Sequence, residues 1–281
     1  MSSKAFLQRH PVAPYFVMAF LISWLGAFTV VAPKLLQGKA IPRLDGLLMF
    51  PVMLIGPSLA GIVFTSIVDG RGGLRNLFSR MGRWHVPVRW YATVLICPVL
   101  LLAVLFSLRA LLSSVFTLNL NPLGIVYGLV PAFLEEVGWT GYAFPKMLVN
   151  RSALAASLLL GVLWGLWHLP VIDFLGAASP YGVYWLPFAL AFIALLSAMR
   201  VLIAWNYSHT NSVLVVQLMH ASLTGSLVVL GPLSVSPAQE TLWYGIYATI
   251  LWIVVALVIA WYGKHLVRQS IQLKTMETAT E

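Results

Sequence analysis

The chain has 281 residues, 60% of them hydrophobic and 9% charged, with a formal net charge of +9. Soluble domains carry about 25% charged residues, so an ordinary aqueous globule is excluded; disorder, which needs low hydrophobicity, is excluded as well. What remains is a polytopic membrane protein.

A bilayer core needs about 20 apolar residues per helix. In chain order the apolar runs predict spans over 14–35, 46–68, 90–116, 122–144, 153–172, 182–204, 212–231 and 241–263. The expected fold is therefore an all-α transmembrane bundle of about eight helices. The first run follows Lys4 and Arg9 and reaches about Ala32, longer than a signal-peptide core, so it reads as an uncleaved span. The basic stretch from Asp69 to Arg89 reads first as a positively charged loop. A short interfacial helix on anionic lipid is its alternative. Cys97, a lone thiol in an apolar run, reads as a small core residue.

Of the 17 Lys and Arg, thirteen fall on the side of the N-terminus, Arg200 among them. Three (Lys34, Lys39, Arg43) fall on the other side, and Arg109 falls inside the third span. That bias predicts both termini in the cytoplasm. It also explains the net charge without nucleic acid, for which no basic stripe interleaved with aromatics is found. There is no internal repeat, and the chain divides into N-terminal helices (1–121), a core (122–231) and a C-terminal helix with tail (232–281). The tail ends in TMETATE, which is not a CaaX box.

A charge at mid-membrane costs about 2.5–3.5 kcal/mol on insertion scales and usually faces the bundle interior. Within the spans stand Arg109, Glu135, Glu136, His168 and His220, with Asp173 at the outer edge of the fifth. At 1.5 Å per residue, Glu135 and His220 lie roughly 14 and 12 Å from the cytoplasmic side and His168 roughly 22 Å. Within the error of the span boundaries all three share one layer. Glu135 and Glu136 are about 100° apart on a helix, so only one of them can face a given atom. His168 follows Trp164 by one turn and precedes Pro170; His220 and Thr224 lie four apart on one helix face. A carboxylate and an imidazole around one water can act as general base. A second imidazole with a hydroxyl can donate to a developing oxyanion. The same side chains can instead hold zinc with an open position for water. Both versions are hydrolytic.

The stretches EEVGWTGYAFP from Glu135, LWGLWHLP through His168 and LMHASLT from His220 to Thr224 resemble the CPBP family. That family comprises type II CAAX prenyl endopeptidases and Abi proteins linked to bacteriocin processing and immunity. Its pattern is Glu-Glu-x-x-x-Arg, Phe-x-x-x-His and His-x-x-x-Asn on successive helices. The resemblance covers about 100 residues, Leu123 to Thr224, and includes Trp139, Gly141, Tyr142 and Pro145 around the first motif. It implies that Glu135 and His168 activate water and that His220 and Thr224 stabilise the oxyanion. Glu136, Trp139, Trp164 and Arg109 are assigned supporting roles. Family members are often called metalloproteases, so Zn2+ or another divalent metal on Glu135, His168 and His220 stands beside a metal-free glutamate mechanism. Three positions depart from the pattern: Thr140 for Arg, Trp164 for Phe and Thr224 for Asn. Arg109 is the candidate for the cation that Thr140 lacks.

The expectation is an intramembrane endopeptidase of the bacterial cytoplasmic membrane, acting on membrane-associated protein or peptide substrates in the lipid bilayer. One alternative is a catalytically weak or inactive homologue serving as membrane scaffold or bacteriocin-immunity protein. The other is a transporter using the carboxylates as a proton relay. Repeated halves with matching broken helices, which would favour the transporter, are not evident.

Overall fold

The computed structural model describes residues 3–39, 41, 43–172 and 182–267. Asp173 and the chain from 268 onward, including the TMETATE end, lie outside the described residues.

Every regular element among the described residues is helical. A short α1 (Ser3–Arg9) leads into α2 (Val12–Leu36), then α3 (Arg43–Met53) and α4 (Ile55–Met81). α5 (Val88–Ala92) runs through a 3-10 turn into α6 (Ile96–Leu111). α7 (Leu123–Gly138) continues as a π turn (Trp139–Ala143) and α8 (Phe144–Leu148). α9 (Ala153–Trp167), α10 (Trp185–Thr210), α11 (Val213–Leu230) and α12 (Pro237–Tyr262) complete the bundle.

Among the described residues, seven segments are long and apolar enough to cross a membrane: Val12–Leu36, Leu48–Met81, Val88–Leu111, Ala153–Val171, Gly182–Thr210, Val213–Leu230 and Pro237–His265. The protein is an all-α, integral multi-pass bundle. The remaining expected span, 122–144, is helical too. The π turn divides it, so its α-helical part is 16 residues long.

Two boundaries differ from the sequence reading. The basic stretch after Asp69 is not an open loop, because α4 continues to Met81 across a kink at Gly70 (φ 68°). Leu77 and Arg80, three apart, turn inward there and are buried, so packing sustains a helix that the charge pattern obscured. α10 runs to Thr210, six residues past the expected end, and carries Arg200 well inside it. It stops at Asn211 in the left-handed region (φ 46°), a common helix terminator. Ser212 then caps α11, accepting from the Val215 amide at 3.1 Å.

Between membrane helices, association rests on close packing and hydrogen bonds rather than on a difference between protein and solvent. Small residues set the approach of α7 to α11. A Cβ on Gly128 would stand 2.8 Å from Gly225 Cα, and one on Gly124 would stand 2.6 Å from the Val229 amide. Gln217 on α11 bonds the Phe133 carbonyl at 3.0 Å, and Ser58 on α4 bonds the Leu134 carbonyl. α9 and α10 meet in the same manner, with a Gly161 Cβ falling 2.6 Å from Ser197 Cα. These two contacts bring the end of α7, the middle of α9 and α10, and the middle of α11 to one point.

Gly128→Val should therefore force α7 from α11 and cost at least about 1–3 kcal/mol. The expected result is a clearly lowered melting temperature of the detergent-solubilised protein. Gly245→Ala, where an added Cβ meets nothing within 4 Å, should melt as the wild type does.

Candidate active site

Glu135 and Glu136 end α7 and are fully buried. Being neighbours on a helix, they point to different partners. One oxygen of Glu135, Oε2, accepts from two indoles: Trp139 Nε1 at 3.1 Å and Trp164 Nε1, from α9, at 2.6 Å. Its other oxygen, Oε1, is buried without a hydrogen-bond partner among the described residues.

The Glu136 carboxylate is saturated by contrast. Arg200 from α10 grips it as a fork, Nη2 to Oε1 and Nη1 to Oε2, both at 2.9 Å. His220 Nδ1 from α11 lies 2.9 Å from Oε1, and the Thr140 hydroxyl donates to Oε2. Arg200 Nη1 also donates to the Thr140 oxygen at 3.3 Å. Arginine suits this position because its planar donors match both carboxylate oxygens at once.

The two imidazoles are oriented alike. A carboxylate only accepts, so the Nδ1 of His220 carries the hydrogen shared with Glu136. His168 Nδ1 lies 2.8 Å from the Trp164 carbonyl, which also only accepts. A neutral ring so held has its basic lone pair at Nε2, and a ring with a hydrogen at both nitrogens would present an Nε2 donor instead.

Trp164 joins these groups. Its N–H holds Glu135, and the Arg200 guanidinium sits 4.4 Å from its ring centroid. Its ring meets His220 edge-on at 4.8 Å and His168 at 5.9 Å. An aromatic wall closes the site. Trp139 stacks on Phe16 at 5.9 Å and meets Trp167 edge-on at 6.0 Å. His168 packs against Phe50 at 5.9 Å and Phe192 at 5.3 Å.

The π turn that follows the acid pair is held from α4. Arg80 Nη2 donates to the Gly141 carbonyl at 2.8 Å, and Nη1 donates to the Tyr207 hydroxyl. π turns of this kind recur at functional sites.

The structure thus gathers Glu135, Glu136, Trp139, Trp164, His168 and His220. Thr224 stands half-buried one turn beyond His220. Arg109 is not part of the assembly: it lies exposed in the last turn of α6. The cation beside the acid pair is Arg200, 1% exposed, which the charge count had taken for a loop residue. Arg80, also counted among the loop cations, is buried as well. A signal for Arg200 was present: it lies in an apolar run, with VLIAW immediately after it, the same criterion that singled out Glu135.

A resident metal fits this arrangement poorly. Among the described residues no three His, Cys, Asp or Glu side chains converge as a ligand set. The Glu136 oxygens are spent on Arg200, His220 and Thr140, and Glu135 offers Oε1 only.

Residues 117–226 match the family described as Type II CAAX prenyl endopeptidase Rce1-like. That match covers 110 of the 281 residues, less than half of the chain. A stretch of 81 residues is 36% identical to CAAX prenyl protease 2 of Methanococcus maripaludis, covering 27% of this chain and 29% of that relative. The alignment thus spans less than a third of the relative's length. The matched segment contains both carboxylates, both imidazoles, Thr224 and Arg200, while Arg80 and Arg109 fall outside it.

If the Glu136 network holds the site together, Glu136→Gln should leave Arg200 buried without its counter-charge. The expected destabilisation is about 3–5 kcal/mol, measured as a fall in the melting temperature of the solubilised protein.

Proposed function

We propose that the protein is an intramembrane endopeptidase hydrolysing peptide bonds of membrane-associated protein or peptide substrates. The observation that carries this reading is Glu135: a fully buried carboxylate with one oxygen fixed by two indoles and the other without a partner among the described residues. In an apolar interior such an atom suits a water molecule, whose proton it can accept.

In this mechanism Glu135 Oε1 takes a proton from the attacking water while His168 Nε2 helps to orient it. The water oxygen bonds to the scissile carbonyl carbon, whose oxygen becomes the oxyanion. His220, steadied at Nδ1 by Glu136, and the Thr224 hydroxyl supply hydrogen bonds to that oxygen. A His220 that donates at both nitrogens is an imidazolium, and Glu136 balances its charge. Glu135 returns its proton to the leaving amine. No step needs a metal, in keeping with the poor fit of a ligand set. The relative's name supports lipid-modified substrates; the setting is the cytoplasmic membrane of a bacterium, with both termini in the cytoplasm.

The test uses protein in liposomes and a quenched-fluorescent farnesylated CaaX peptide. Glu135→Gln and His168→Ala should each lower kcat/KM at least about 100-fold, with both variants still folded in the membrane. Wild-type turnover should be unchanged after treatment with EDTA or phenanthroline, and its loss would restore the metal-dependent version. For native substrates, proteomics of a deletion strain complemented with wild type or Glu135→Gln should yield peptides cut only with wild type. A phenotype that persists in both variants would instead mark a scaffold or immunity protein on the same fold.

A further inference from the structure

The sequence pattern places Thr140 where the first motif has arginine, and the structure places a guanidinium at that spot from elsewhere. We propose that Arg200 is the positioning residue of the site and occupies the volume and charge position a residue-140 arginine would fill. The inference rests on the hydrolytic reading of the site.

Four observations support it. Thr140 points its hydroxyl into the Glu136–Arg200 pair, bonding one partner and accepting from the other. A longer side chain from 140 would therefore enter the space Arg200 now holds, so the two positions compete for one site. Second, Arg200 meets both halves of the machinery. It forks onto Glu136, which holds His220, and it lies over Trp164, which holds Glu135. Third, α9 makes room for it: a Cβ on Gly161 would stand 3.2 Å from Arg200 Cβ, and a neighbouring helix could not come closer. Fourth, the cation is buried and its pairing is with this acid, not with solvent. Arg200 touches no reacting atom; it acts through the rotamers of Glu136, His220 and Trp164.

The proposal predicts sign-reversing coupling, which a merely structural arginine would not produce. Arg200→Met should remove the charge. Thr140→Arg should overfill the site with two cations. Each alone should lower kcat for the farnesylated CaaX peptide by about tenfold or more, with KM little changed. The double variant Thr140→Arg/Arg200→Met should recover to within several-fold of wild type, since groups in one network couple strongly. Arg200→Lys, which keeps charge but loses the fork, should fall between wild type and Arg200→Met.

A second readout does not depend on turnover. In protein labelled with 15N-histidine, the resonance assigned to His220 by comparison with His220→Gln should report a hydrogen-bonded Nδ1–H. It should shift in Arg200→Met and return in the double variant. If wild type cleaves no peptide, the hydrolytic reading fails while the His220 resonance still decides the role of Arg200. A double variant that melts no higher than Arg200→Met, or leaves His220 shifted, overturns the proposal. So does an Arg200→Met protein with wild-type kcat and His220 signal.

Discussion

An ionised carboxylate in an apolar interior must be compensated where it stands, and the organisation of this bundle follows from compensating Glu136. Four hydrogen bonds from two helices and the π turn converge on its two oxygens. Desolvation of such a group costs several kcal/mol unless its partners are nearly ideal in geometry. The close glycine contacts of α7 with α11 and of α9 with α10 bring those partners within reach. The helix packing and the electrostatics are thus one problem with one solution.

The same arrangement separates the two acids by role. Glu136 is spent on structure, every lone pair directed at a donor. Glu135, one residue earlier and turned about 100° around the helix, meets indole N–H groups on one side and, among the described residues, no partner on the other. Under the proposed mechanism, adjacent residues of identical chemistry thereby become an anchor and a base, through environment alone. Such division of labour between paired carboxylates is a familiar way of running acid–base chemistry on one scaffold.

Much of this was legible in the sequence. The spans followed from hydropathy, and Glu135, Glu136, His168 and His220 stood out because ionisable groups are expensive in apolar runs. Arg200 was not read, because positive charge near a helix end is ordinarily topological and its partner lies 64 residues away. Arg80 escaped for the same reason, having been assigned to a basic loop that is in fact helix. The π turn had no local signature, since its residues are as compatible with an α-helix. The sequence marked which groups were costly, and only the fold could say which of them met.

The exchange of the pattern's phenylalanine for Trp164 changes more than shape. A phenyl ring has no donor, whereas this indole ties down Glu135 Oε2 from a second helix. Trp139 alone would hold that oxygen from the π turn of the same helix; a second donor from α9 fixes its direction. Under the proposed mechanism, the base presents one lone-pair edge to its surroundings. A bound polypeptide would then be attacked on one prochiral face of its carbonyl, with the handedness of the tetrahedral carbon set by a tryptophan nitrogen.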